Sequence, residues 1–307
     1  MSAKLCPVIF LCSAFLLCAA GALGQPQEPR SAGSRQLRDF FAAEWTYWMQ
    51  EYPEMATEVG YPGQNARWTD YSPGGVARRN QHLRDALQTL EGMDRTKLGE
   101  GEALNYDLYR KLLGNAMEGL RFHNDANPYA AVAVMNLNQP INQVEGIQQR
   151  IARMIAIMPA RGTRDFEDIV ARLEGVPAIV EQTIALMREG LRSGLTPPKI
   201  TLRDVPKQIG DQIFAEPMAS PLLRAFRNFP ETVPAAERER LTKQASTAYT
   251  NKVVPAFRRL QDFLVNDYIP QCRPAIAAGA LTDGAAHYAY NVRWHTTTNL
   301  TPQQIHE

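Results

Sequence analysis

Cysteine is scarce in this chain, and three of its four cysteines, Cys6, Cys12 and Cys18, lie close to the N-terminus, leaving only Cys272 further on. If an N-terminal leader is removed, no internal disulfide can form. An exported chain of 307 residues must then be held by its hydrophobic core rather than by covalent staples. A surplus of charge is also missing. Lys and Arg number 33 against 32 Asp and Glu, and loss of Lys4 with the leader makes the two equal. No basic run with interleaved aromatics occurs, so nucleic acid is not expected as a partner. Beyond the leader no apolar run approaches the roughly 18 residues of a membrane-crossing helix, and no stable membrane span is expected. Residues 25–307 contain no HExxH, no CxxC, no GxSxG elbow, no phosphate-cradling glycine loop and no GxGxxG after a strand. These absences leave no catalytic residue and no metal ligand set to assign within the chain. Cys272, in YIPQCRP with no paired histidine motif, reads as a structural thiol.

What is present begins with a leader. In residues 1–24 Lys4 is the only charge, Pro7 to Ala20 is mostly apolar, and Ala22-Leu23-Gly24 carries small residues at the two positions a signal peptidase reads. We therefore expect a secretory signal over 1–24 and an exported protein, periplasmic or extracellular. Lipidation at Cys18 is disfavoured because Leu17 occupies a position that normally requires a small residue. Residues 25–34 read as a flexible mature start, and 35–307 as one helical domain with no Gly/Ser linker and no internal repeat.

From Arg35 onward apolar residues recur at helical spacing and strand-like alternation is rare, so the fold class is all-α: a multi-helix array with long irregular loops. Phe40, Phe41, Trp45, Trp48 and Met49 mark a first helix face, closed by Tyr52-Pro53. The irregular stretch GYPGQNARWTDYSPGG follows, and Ser72-Pro73 caps a second helix. Leu104, Leu108, Leu112 and Leu113 carry a third. An apolar stripe over 144–158 carries another, and Pro177 divides the segment from Thr163 to Ser193 into two helices, an antiparallel or sharply kinked pair. A long helical run from Pro234 to about Tyr268 should kink at Pro255.

The final residues, LTDGAAHYAYNVRWHTTTNLTPQQIHE, hold three of the five histidines and a concentration of polar aromatics. Asp283 and His287 stand four apart on a helix starting near Gly284, with His295 two turns further along, too widely spaced for one metal ion. Tyr288, Tyr290 and His295 are the candidate substrate-binding residues. Thr301, Pro302 and Gln304 signal the start of another helix, yet only six residues follow the cap. The expectation is therefore the front part of a longer protein, a domain incomplete at its C-terminus and inactive alone.

Three segments resemble a known group, the exported bacterial proteins called domain of unknown function 885. They are YPEMATEVGYPGQNARWTDYS, EDIVARLEGVPAIVEQTIALMREGLRSGLTPP and DGAAHYAYNVRWHTTTNLTPQQIHE. The resemblance implies a mostly helical, zinc-dependent, peptidase-like protein with a peptide substrate. Its HExxPGHH-like, gluzincin-type motif would lie well downstream and is not among these residues. Zinc would be the cofactor of the full-length family, polarising a carbonyl and activating water. The chain in hand would supply one wall of the cleft. The alternative is a non-enzymatic helical binding or structural protein of the cell envelope.

Overall fold

A computed structural model describes residues 32–129 and 135–307. The expected leader, and residues 25–31 of the expected flexible start, lie outside the described residues. No strand occurs among those described, only an isolated antiparallel bridge between Asn124 and Asn136. The all-α reading therefore holds. No described helix is long and apolar enough to cross a membrane.

Helix α1 (Ala32–Glu51) is followed at once by α2 (Pro53–Glu58), because Pro53 cannot donate to the preceding turn and instead opens a new helix. Ser72 caps α3 (Pro73–Glu91), its Oγ accepting the Gly75 amide at 3.1 Å. Helix α4 (Glu100–Leu120) packs on α3. With Leu37 and Trp48 of α1, the residues Leu83, Leu90, Tyr106, Tyr109 and Leu113 make the first of two hydrophobic cores.

The second core gathers α5 (Ile147–Ile157), α6 (Thr163–Ser193), α7 (Val205–Gly210) and the run that starts with α8 (Ala235–Ala248). Its centre is the face of α6 bearing Phe166, Ile169, Leu173, Val176, Ile179, Val180, Ile184 and Met187, all almost fully buried. Complete burial of such a side chain contributes about 1.5–3 kcal/mol before chain entropy is counted. The Thr163–Ser193 segment thus differs from its sequence reading, since α6 is one uninterrupted helix with Pro177 inside it. Flanking residues buried on both sides of Pro177 hold the helix together across the single missing hydrogen bond.

Pro255 is taken into its helical run through a widened turn. A π-helical turn at Tyr249–Val253 precedes α9 (Val254–Phe263), and a second at Leu264–Tyr268 precedes α10 (Ile269–Gln271), which holds Pro270. Each wide turn ends two residues before its proline. Widening the backbone there removes the clash between the proline ring and the preceding carbonyl.

One helix is rotated from its sequence reading, for only Leu113 of the four leucines that mark it is buried. On α4 the buried side carries Ala103, Tyr106, Tyr109, Leu113 and Ala116, while Leu104, Leu108 and Leu112 are 57%, 53% and 37% exposed. Both rows have helical spacing. Aromatic side chains occupy the core because Tyr109 can bury its ring and still bond its hydroxyl to Glu44 at 2.8 Å.

Candidate functional site

The segment between α2 and α3 reads as a long irregular loop, and a buried arginine holds it in place. Arg172, fully buried on α6, donates from Nε to the Arg67 carbonyl at 3.0 Å. Its Nη2 donates to the Pro53 carbonyl at 3.0 Å and to Thr57 Oγ1 at 2.7 Å. The Trp68 ring lies 5.2 Å from the guanidinium, and the indole N–H returns a bond to the Arg172 carbonyl at 2.8 Å. Trp68 comes this close because Gly175 has no side chain, since a Cβ there would stand 2.9 Å from Trp68 Cδ1. No carboxylate pairs directly with Arg172 among the described residues. Burial lowers its pKa to about 10, with Glu54 and Asp168 opposing from further away.

A second buried guanidinium, Arg79 of α3, joins the loop to the first core. Its Nη1 donates to the Asp70 carbonyl at 2.7 Å, its Nη2 stands 3.6 Å from Asp125 Oδ1, and the cation lies 5.3 and 5.4 Å from the Tyr52 and Tyr71 rings. Tyr52 donates to the same Asp125 oxygen at 2.9 Å. Gln182 of α6 completes the stitching, accepting the Tyr71 amide at 2.8 Å and donating to Asp70 Oδ1 at 2.9 Å. Asp125, Tyr52 and Arg79 are sealed from solvent. Such a group can clamp two cores together; without access it cannot bind a substrate. Sequence reasoning misses these residues, although a signal is there. Arg79 stands in the row Val76, Leu83, Ala86, Leu90, and Arg172 in the row Ile169, Val176, Ile179, each charge occupying an apolar position of its helix.

The three residues chosen from the sequence lie on α11 (Gly284–Thr296). Tyr290 is buried and donates to the Asn115 carbonyl of α4 at 3.2 Å, its hydroxyl standing 2.6 Å from where a Cβ on Gly119 would be. Burial raises its pKa to about 12. Arg293 pairs with Glu118, and Lys111 donates to the Thr297 carbonyl at 3.1 Å. The contacts step back along α4 as α11 advances, so the two helices run antiparallel. Tyr288 and His295, seven residues apart, share the opposite, exposed face. The structure thus sets Tyr288 and His295 on one face two turns apart and turns Tyr290 away from them. Thr301 accepts the Gln304 amide at 3.2 Å and begins α12 (Pro302–His306), which is exposed throughout.

At the other end of α11, His287 stacks on Phe122 with centroids 4.8 Å apart and planes 6° from parallel. Beside it is a cavity of about 190 Å³ whose lining includes Arg121, His123, Asn136, Asp283 and His287. His123 and Asp283 both hold left-handed backbone, with φ of 59° and 55°. Zinc does not fit here. No three His, Cys, Asp or Glu among the described residues are placed to hold a metal ion, and Asp283 stands 3.7 Å from the Arg121 guanidinium.

Burial, and secondarily the charge of His123, lowers the pKa of His287 below its ordinary 6.5. The folded state then binds fewer protons than the unfolded one as pH falls below 6.5. Stability that is complete above that value is lost as pH drops through the folded pKa. His123, Asp283 and Arg121 are the charged and titratable groups facing it. We expect amide exchange in residues 284–296 to accelerate between about pH 7 and pH 5 beyond the intrinsic change in rate, and His287→Phe to remove that acceleration. Equal pH dependence in both proteins would refute this.

Three comparisons place the chain among known proteins. A family model described as "Bacterial protein of unknown function (DUF885)" matches residues 53–307. No curated protein matches the chain significantly. The crystal structure of "the putative lipoprotein from Colwellia psychrerythraea" superposes with a TM-score of 0.72 at 16% identity, covering 90% of this chain and 48% of that one. The chain spans about half the length of that protein, and at this identity the likeness shows shared fold alone.

Proposed function

We propose, from the premise that this chain belongs to the DUF885 family of bacterial proteins of unknown function, that it forms the helical wall of an exported, peptidase-like enzyme. In this reading the chain shapes the cleft and positions a peptide, while the metal chemistry is what the resemblance implies for the full-length family. The observation that carries the proposal is the outer face of α4 and α11. Leu104, Leu108 and Leu112 form an exposed row on α4, and α11 is docked on the same helix through Asn115 and Glu118. An apolar row of this kind marks a face that another element covers. The half-length match supports a longer assembly, and the leader-like residues 1–24 support export. Tyr288 and His295 present polar tips on the open face of α11, where they can orient a bound peptide.

The test is peptide hydrolysis by a zinc-supplemented full-length family member, carrying substitutions at the positions matching Tyr288, His295 and Gly119. Alanine at either of the first two should lower kcat/KM about tenfold, equivalent to about 1.4 kcal/mol, without moving Tm. Leucine in place of Gly119 should displace Tyr290, release α11 and lower turnover further. Unchanged turnover in all three would overturn the proposal and favour the non-enzymatic envelope reading. Turnover by the present chain alone would overturn it as well.

A further inference from the structure

The segment YPEMATEVGYPGQNARWTDYS is the most distinctive one near the start of the chain, and the wall reading does not use it. Part of it is accounted for by the Arg172 and Arg79 clamps. Residues 58–63 are not, because no hydrogen bond of either clamp reaches them, and they line a cleft of about 810 Å³ against the corner between α5 and α6. We infer that this cleft is a binding site for a short peptide segment presenting a lysine or arginine side chain next to an aliphatic one.

The cleft is built in advance of any ligand. Gly60 and Gly63 hold left-handed backbone, with φ of 73° and 82°, and a Cβ at either would meet nothing within 4 Å. Glycine is thus present for the turn and not for packing. The Tyr61 amide bonds to the Ala56 carbonyl at 2.7 Å, and Thr57 donates to Asn65 Oδ1 at 2.9 Å. Arg172 grips Thr57 from beneath. A site fixed on a rigid support loses little entropy on binding.

The lining selects the ligand. Val59 and Ile157, from two elements distant in sequence, are 54% and 48% exposed and both border the cleft, together with Pro62 and Pro159. They offer apolar surface to an aliphatic side chain. The charged lining is weighted towards acceptors. Arg164 is matched by Asp168 at 3.2 Å and Arg161 by Asp165 at 3.9 Å, while Glu58 has no ion-pair partner among the described residues. The carbonyls of Val59, Gly60 and Pro62 accept no backbone hydrogen bond from the described residues. A surplus of acceptors with one free carboxylate calls for a ligand rich in N–H groups and positively charged, which a basic peptide supplies along its backbone as well as at its side chain. Burial holds the Asp168 carboxyl above its ordinary pKa, and an incoming cation would reverse that shift. Phosphate and nucleic acid are disfavoured because Glu58, Asp165 and Asp168 outnumber the two arginines of the lining.

The inference does not depend on the wall reading, which concerns α4 and α11. Its test uses the purified protein and two acetylated, amidated pentapeptides, Ala-Leu-Lys-Leu-Ala and Ala-Leu-Glu-Leu-Ala, titrated by calorimetry or by amide chemical shifts. The lysine peptide should bind saturably and the glutamate peptide at least tenfold more weakly. Glu58→Gln should weaken the lysine peptide about threefold, as for an exposed charge pair, and Val59→Ser with Ile157→Ser about tenfold. All three side chains are exposed, so an unchanged melting temperature serves as the folding control. Equal binding of the two peptides, binding unchanged in the variants, or no binding of the lysine peptide at millimolar concentration would each overturn the inference. Peptide binding here without hydrolysis would leave the wall reading untouched.

Discussion

Arg172→Ala is expected to lower stability by about 4 kcal/mol, read as a fall in the urea midpoint with the slope unchanged. The loss has two parts. Truncation leaves a cavity beneath Trp68 and strands the Arg67 carbonyl, while the Pro53 carbonyl and the Thr57 hydroxyl, which have other partners within reach, each lose a guanidinium N–H group. A buried acceptor without a donor costs about 1–3 kcal/mol. Arg172→Met separates the parts. It keeps most of the volume, so about half of the loss should remain, carried by the lost guanidinium hydrogen bonds alone. Replacing a buried charge by an apolar side chain is often neutral or stabilising when the partner charge leaves with it. Here the partners are backbone carbonyls and cannot leave. A methionine variant as stable as the parent would show that the hydrogen bonds contribute nothing net, and that Arg172 acts only by filling space. Because the same clamp underlies residues 58–63, Arg172→Ala should also abolish peptide binding in the adjoining cleft.

Glu44→Ala is expected to be nearly as damaging, at about 3–4 kcal/mol, in the first core. Glu44 is buried on α1, and its carboxylate gathers three groups from three helices. Oε1 pairs with His82 Nε2 at 2.7 Å, while Oε2 accepts Trp48 Nε1–H at 3.1 Å and the Tyr109 hydroxyl at 2.8 Å. His82 is stacked under Tyr47, with centroids 3.4 Å apart. Alanine leaves the indole and phenol donors without acceptors in an apolar surround; His82, a quarter exposed, can turn to water. Glu44→Gln should recover about half of the loss, since the amide oxygen still accepts while the amide nitrogen faces a donor. Thermal unfolding followed by tryptophan fluorescence would report the change directly, because Trp48 is one of the three partners. A glutamine variant no more stable than alanine would mean that charge, and not hydrogen-bond count, holds the cluster.

Glu44, Arg79 and Arg172 share a property that is legible in the order of residues along the chain. Each occupies an apolar position in its helical row: Glu44 between Phe41 and Trp48, Arg79 between Val76 and Leu83, Arg172 between Ile169 and Val176. A charge there announces a buried polar partner, though not which one, because partners come from segments up to 119 residues away. The tail is legible in the same partial way. The cap at Thr301 forms as its residues indicate, since capping depends on four consecutive positions. Tyr288, Tyr290 and His295 stand out only as a group, and it takes the position of α4 to set Tyr290 inward and the other two outward.

By itself, then, the sequence determined the all-α class, most helix starts, and the family, for these rest on local hydrogen bonding, helical periodicity and contiguous motifs. Tertiary structure alone decided which of two equally periodic rows on α4 is buried, whether prolines break a helix or are absorbed by it, and which loop residues face a cleft. The physical reason is the same in each case. A helix backbone is satisfied internally, so its existence is a local matter. Which side it buries depends on competition between side chains for one interior, and that competition is settled by residues distant in the chain.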